Sequence, residues 1–243
     1  MMLWVGLAFG QAEYKQSLRL SAGATALYGN VEQVSVNLSG HHGVTSEKLG
    51  NDVVVNGFRL WFGGDEDLRR VGDDWYAASM PFVYVKPKVY VAGLARYDSS
   101  QLHQLNHRVV GGAGVGWAPV RRTDMLIRTS VGAYGQMDVL DTGSTPMGPR
   151  LGVLSNGWVR LDESPVAWRY VAWVFTDPTD DWTLRGDLDT SLEVKLFGPL
   201  TLRLGVVASY DPTLPDGVEH VDLRGTVGLG FVQTWTGDET PSD

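Results

Sequence analysis

Charged side chains recur at every second position in this sequence, and their spacing sets the chemistry open to it. Arg19, Arg59, Arg108, Arg128, Arg160 and Arg185 share the polar side of alternating segments. So do Asp187, Asp189, Glu193, Lys195, Arg203, Asp222 and Arg224. Such a set can pair internally and brace the strands that carry it, because buried charges must be paired or hydrated. It can equally line a narrow aqueous passage. Other candidates are weaker. Ser99 or Ser100 with His103 or His107 would give a nucleophile and a base, but no Gly-x-Ser-x-Gly elbow accompanies them. Asp65, Glu66 and Asp67, and Asp177, Asp180 and Asp181, offer carboxylates for a divalent cation without the spacing of a calcium loop, so a solvated outer surface is the plainer reading. Gly111-Gly112-Ala113-Gly114 has no following Lys-Ser/Thr and is read as easing wall curvature rather than cradling phosphate.

The elements that hold these residues are strands. From Trp182 to Leu196 one parity carries Leu184, Leu188, Leu192, Val194 and Leu196, and the other carries Arg185, Asp187, Asp189, Glu193 and Lys195. After Phe197-Gly198-Pro199 the alternation resumes through Leu200, Leu202, Leu204 and Val206, and again through Val221, Leu223, Val227, Leu229 and Phe231. Strict alternation means strands with one oily and one wet face. Full charges mid-strand on the wet face suggest a barrel with lipid outside and polar groups inside. The same parity runs from Ser17 onward and predicts about twelve strands. Tight turns are expected near 50–51, 86–88, 119–123, 163–165 and 197–199. Longer loops are expected at 63–74, 98–106, 136–149 and 211–219. Lys48, Lys86, Lys88, Arg121 and Arg122 sort to the tight turns and most loop acids to the long connections. Aromatics are expected to form two interfacial girdles: Tyr28, Phe62, Tyr76, Tyr97, Trp182 and Tyr210 at one end, and Tyr84, Tyr90, Trp117, Trp168 and Phe231 at the other. The fold class is therefore all-β, a transmembrane antiparallel up-and-down barrel.

Composition agrees and excludes little more. The chain has 243 residues, 30 glycines, nine tryptophans and no cysteine, which removes disulfide scaffolds and thiolate metal sites. A net charge of −8 disfavours nucleic acid. Mean hydropathy is −0.10, and no run of roughly 18 apolar residues would make a spanning helix. Residues 1–12 read as a secretory signal remnant cleaved after Gly10-Gln11-Ala12, without the usual basic start. Residues 13–235 are the barrel and 236–243 a polar tail.

Several stretches carry a resemblance. They are Tyr28-Gly29-Asn30, Tyr97-Asp98, the run Arg108-Val-Val-Gly-Gly-Ala-Gly-Val-Gly-Trp117, and the ending from Tyr210-Asp-Pro-Thr-Leu-Pro-Asp-Gly217 through Asp222 to Gly228-Leu-Gly-Phe231. Over roughly Ser17 to Phe231 the chain resembles the YdiY-like salt-induced outer-membrane protein family, a family of unknown function. The tryptophan content and the tail beyond Phe231 depart from it. The resemblance implies a Gram-negative outer-membrane barrel with no catalytic residues to carry over and no cofactor. Its expected surroundings are outer-membrane lipid, lipopolysaccharide and the barrel assembly machinery, with Phe231 or Trp235 as the aromatic assembly signal. Small solutes or ions are possible passengers. The leading function is structural or passive diffusion through a charge-lined lumen. The alternatives are a lipid-modifying barrel enzyme and a soluble β-barrel ligand carrier, which alternation alone cannot separate from the first.

Overall fold

The computed structural model describes residues 14–27, 32–64, 67–101, 104–140, 143–144, 147–161, 164–214 and 220–237. The signal remnant, the Tyr28-Gly29-Asn30 turn, Asp65, Glu66, His103 and the tail from residue 238 lie outside them. The strands are β1 (Tyr14–Leu27), β2 (Glu32–Ser46), β3 (Leu49–Gly64), β4 (Asp67–Lys86), β5 (Val89–Ser100), β6 (Leu105–Arg121) and β7 (Met125–Leu140). A two-residue strand, β8 (Gly143–Ser144), pairs only with the end of β7. The series continues with β9 (Gly148–Arg160), β10 (Val166–Thr176), β11 (Leu184–Phe197), β12 (Leu200–Tyr210) and β13 (Val221–Gly237).

Twelve of these form a closed antiparallel wall. Each long strand pairs with its sequence neighbours, β7 pairs directly with β9, and β1 pairs with β13 over ten register positions to close the ring. Closure gives every wall strand a partner on both sides and leaves no edge, the condition for crossing lipid with strands. The strands are longer than alternation alone indicated. β3 and β4 meet at Gly64↔Asp67, so the expected loop at 63–74 is mostly strand, and β5, β6 and β7 run through the charged ends read as loops. The tight turn after β2 falls at Glu47-Lys48, where the Ser46 hydroxyl accepts from the Leu49 N–H at 3.2 Å. Pro81 interrupts the β4–β5 ladder, which runs to Ser79↔Ala95 and resumes at Phe82↔Ala92, because proline brings no N–H to donate.

The outward parity is largely apolar around the wall. Leu223, Val131, Val115, Leu229 and Val227 are all exposed, Leu223 at 71%. A contiguous oily surface of this extent marks a membrane-facing wall. Outward aromatics sit near strand ends: Trp75, Tyr97, Trp182 and Tyr210 at the long-loop end, and Trp117, Trp168, Phe197, Phe231 and Trp235 at the tight-turn end. Tyr76, Tyr84 and Tyr90 are corrected. They share inward parity with Ala78, Met80 and Leu94, so they belong to the lumen and not to a girdle.

The lumen is not uniformly wet. Val54, Ala78, Met80, Leu94, Val110, Tyr134, Leu154, Trp173 and Phe175 pack inside β3–β10 as an apolar cluster, and Phe82, Tyr84, Tyr90 and Ala118 form a second toward the tight turns. Glycines make room for these rings. Gly116 stands opposite Tyr90 across β5–β6, and a Cβ there would lie 2.1 Å from the ring. Gly152 opposite Phe175 repeats the arrangement. Gly116→Val displaces the Tyr90 ring and lowers unfolding stability by about 1–3 kcal/mol, read by guanidinium titration in lipid. Small residues line the opposite wall. Gly23 on β1 faces Gly228 on β13 across the closing pair, where a Cβ on either would meet the partner strand's backbone carbonyl.

Candidate functional site

Alternation fixes which residues enter the lumen, and register fixes which meet. Near the long-loop end an unbroken chain of opposite charges crosses the barrel. Arg96 on β5 holds Asp98 with Nε at 2.8 Å and reaches Asp187 on β11 with Nη1 at 2.9 Å. Arg185 approaches Asp187 at 3.3 Å and Asp211 at 3.5 Å. Arg108 on β6 donates to Asp211 at 2.7 Å and grips Asp138, its direct partner on β7, in a fork at 2.7 and 2.8 Å. Forked guanidinium–carboxylate pairs are the most directional of the charged contacts. A branch joins Arg224 to Asp74 at 2.7 Å and to Asp222 at 2.8 Å. Two guanidiniums are backed by rings, Arg96 over Trp173 at 4.1 Å and Arg224 over Phe58 at 4.8 Å. Burial alone would push the Asp211 carboxyl, in the loop after β12, upward. The Arg108 and Arg185 guanidiniums and the Thr213 hydroxyl outweigh it and hold the group at about 2. Its stabilising charge is therefore complete above the ordinary value of 3.8 and is lost only as pH falls toward 2.

This network surrounds a narrow cavity of about 100 Å³, room for several waters. Below it a bar crosses the lumen at mid-height. Asp189 accepts from the Tyr76 hydroxyl at 3.0 Å, from Asn56 at 3.1 Å and from Arg203 at 3.1 Å, and Arg203 donates across to Ser21 at 3.2 Å and to Ser39. Beneath the bar a chamber of about 950 Å³ opens at the tight-turn end. There Arg128 pairs with Asp52, which His41 also approaches at 3.4 Å, while Arg169 and Arg19 share Glu193 at 3.0 and 3.6 Å. Val171 and Asp189 line both spaces.

Most charges nominated from sequence point inward. Arg19, Arg128, Arg160, Asp189, Glu193 and Arg203 line the chamber. Arg108, Arg185, Asp187 and Arg224 line the smaller cavity, with Asp222 paired to Arg224 at its rim. Lys195 keeps the inward parity but stands exposed at the tight-turn mouth. Arg59 is corrected. On β3 the inward positions are Asp52, Asn56 and Phe58, so Arg59 takes the outer parity, where it pairs at 2.6 Å with Asp73 on β4. Alternation missed Asp52, Asp74, Arg96, Asp98, Asp138 and Arg169. Asp74, Asp98 and Asp138 fall in the expected loops at 63–74, 98–106 and 136–149, and continuing each strand's parity through them places them inside. The imagined serine–histidine pair is not assembled with His107. Ser100 donates inward to Asp74 at 2.5 Å, while His107 faces out and meets the Tyr97 hydroxyl at 2.6 Å. His103 lies outside the described residues. Of the loop acids, Asp177 is held by Thr179 and Arg150, and its carboxyl lies below the ordinary range chiefly through the Thr179 hydrogen bonds.

Comparison with known proteins matches this architecture. No curated protein sequence matches the chain. Among solved structures, the NanC porin aligns with a TM-score of 0.50 at 7% identity, covering 88% of this chain and 98% of that one. That likeness is one of fold. An outer-membrane channel from Pseudomonas putida F1 aligns at 0.44 and 8% identity over 93% of this chain and 96% of its own. The translocator domain of the autotransporter NalP from Neisseria meningitidis aligns at 0.41 and 13% over 94% and 92%. A family model described as "Protein of unknown function, DUF481" matches residues 20–232, from Leu20 in β1 to Val232 in β13. With nearly the whole wall matched, the chain belongs to the DUF481 family, the YdiY-like outer-membrane barrels that its glycine-rich sixth strand and its ending resemble.

Proposed function

We propose that this chain is a non-enzymatic barrel of a Gram-negative outer membrane that passes small solutes or ions passively through a lumen narrowed by its own ion pairs. Lipid and lipopolysaccharide surround the oily wall, the tight-turn end faces the periplasm, and the barrel assembly machinery inserts it. One observation carries the reading. The spaces toward the two ends share Asp189 and Val171, so beside the apolar cluster of β3–β10 they meet at the polar bar. Bracing is the second reading, and the continuous chain of ion pairs from Asp98 to Asp138 favours it for the long-loop end. Planar-bilayer recording tests the passage. The parent protein gives a small single-channel current, and Arg203→Ser, which removes the bar's reach to Ser21 and Ser39, raises it several-fold. Repeated insertions without ion current would reject the passage and leave the brace.

A further inference from the structure

The two spaces inside the barrel differ in charge. Residues lining the small cavity include five carboxylates and four guanidiniums, a near balance. Those lining the tight-turn chamber include eight basic side chains and four carboxylates. A chain of net charge −8 thus encloses a basic chamber. Its carboxylates at depth are already engaged. Asp52 is held by Arg128, Asp189 by Arg203, and Glu193 by both Arg169 and Arg19. Two guanidiniums on one carboxylate leave positive charge over, and Arg160 adds its field to theirs.

Donors are also left over. The Nε group of Arg128 is buried without a hydrogen-bond partner among the described residues, and that of Arg19 reaches Glu193 only at 3.6 Å, beyond hydrogen-bond distance. The Arg128 side chain is only 5% exposed and lines the chamber. Guanidiniums held in the wall without a full set of acceptors add positive potential to the chamber they line. Aromatic faces hold the cations in place. Arg128 lies over Phe82 at 4.2 Å, Arg121 over Tyr84 at 4.1 Å and Arg169 over Trp158 at 5.8 Å. A stacked guanidinium keeps its edge free to donate, and the rings supply apolar wall beside it.

From this arrangement we infer that the tight-turn chamber is a binding site for a small multivalent organic anion, one bearing two or more carboxylate or phosphate groups on a short carbon frame. The volume suits a molecule of that size. Surplus cations concentrate such an anion, and low-dielectric walls focus the field. The inference rests on the passage reading for the anion's role, naming the class of solute that the barrel would admit.

The test is equilibrium titration of the folded protein in detergent, followed by tryptophan emission and calorimetry. Citrate and glycerol phosphate are the anionic probes and spermidine is the cationic control. Citrate or glycerol phosphate binds saturably, more weakly as salt is raised, and spermidine does not. Whichever of the two binds more tightly identifies the oxyanion class. Arg160→Gln with Arg169→Gln weakens binding by about tenfold or more. Arg160→Gln alone, at the exposed end of β9, gives a smaller loss in the same direction and guards against misfolding of the double variant. No saturation by either anion overturns the inference, as does equal binding of spermidine or undiminished binding in both variants. Bilayer recording separates the two readings. Saturable anion binding in a barrel that carries no current rejects the passage alone, and current without anion binding rejects the site alone.

Discussion

Arg108→Leu destabilises the folded barrel by about 3–5 kcal/mol, the cost of breaking a buried pair from one side. Arg108 is 3% exposed and is the meeting point of Asp138 and Asp211. Its loss takes the shared cation from two carboxylates; Gln136 still donates to Asp138 and Thr213 to Asp211, but these are neutral donors, and the approach of Arg185 to Asp211, at 3.5 Å, is too long to compensate. The diagnostic comparison is the triple variant Arg108→Leu, Asp138→Asn, Asp211→Asn. Removing the charges together restores most of the loss, because a whole buried ion pair is worth far less than its halves are harmful. Guanidinium unfolding in lipid, read by tryptophan emission, measures both. A single variant within about 0.5 kcal/mol of the parent would mean that the long-loop end is hydrated and its network incidental.

The second large effect concerns the outer face. Leu204 lies near the middle of β12, flanked by Leu192 on β11 and Val227 on β13, with 42% of its surface exposed. Leu204→Arg costs about 2–4 kcal/mol when the protein is folded into a bilayer, the penalty for a guanidinium facing lipid at mid-depth. Arginine at an exposed site of a water-soluble barrel would change stability by no more than about 0.5 kcal/mol. Unfolding midpoints of parent and variant in vesicles therefore decide between membrane wall and soluble carrier. A neutral result would sink the membrane reading.

Period-two alternation made the strand number and the inner faces of β11, β12 and β13 legible, because each has a polar inward side and an oily outward one. It failed where inner residues are apolar. On β3 the inward Val54, Phe58 and Leu60 read as lipid-facing, which sent Arg59 to the wrong side. It also failed where charge was taken to end a strand. Asp74, Asp98 and Asp138 lie within β4, β5 and β7 because a polar lumen tolerates charge along the whole strand length. Partner identity was illegible throughout. Arg96 and Asp187 are 91 positions apart, and only the closed ring brings their strands to face one another.

The opposed glycines of β1 and β13 have a mechanical consequence. The first and last strands join along a seam where Gly23 and Gly228 let the backbones approach with no side chain between them, while the bulky rings keep to the far half of the interior. At that pair main-chain hydrogen bonds alone lace the seam, while toward the tight-turn end it carries side chains on both strands, Leu20 opposite Phe231 among them. It can be zipped shut last, or parted first, without disturbing the packed half that keeps the cylinder's curvature.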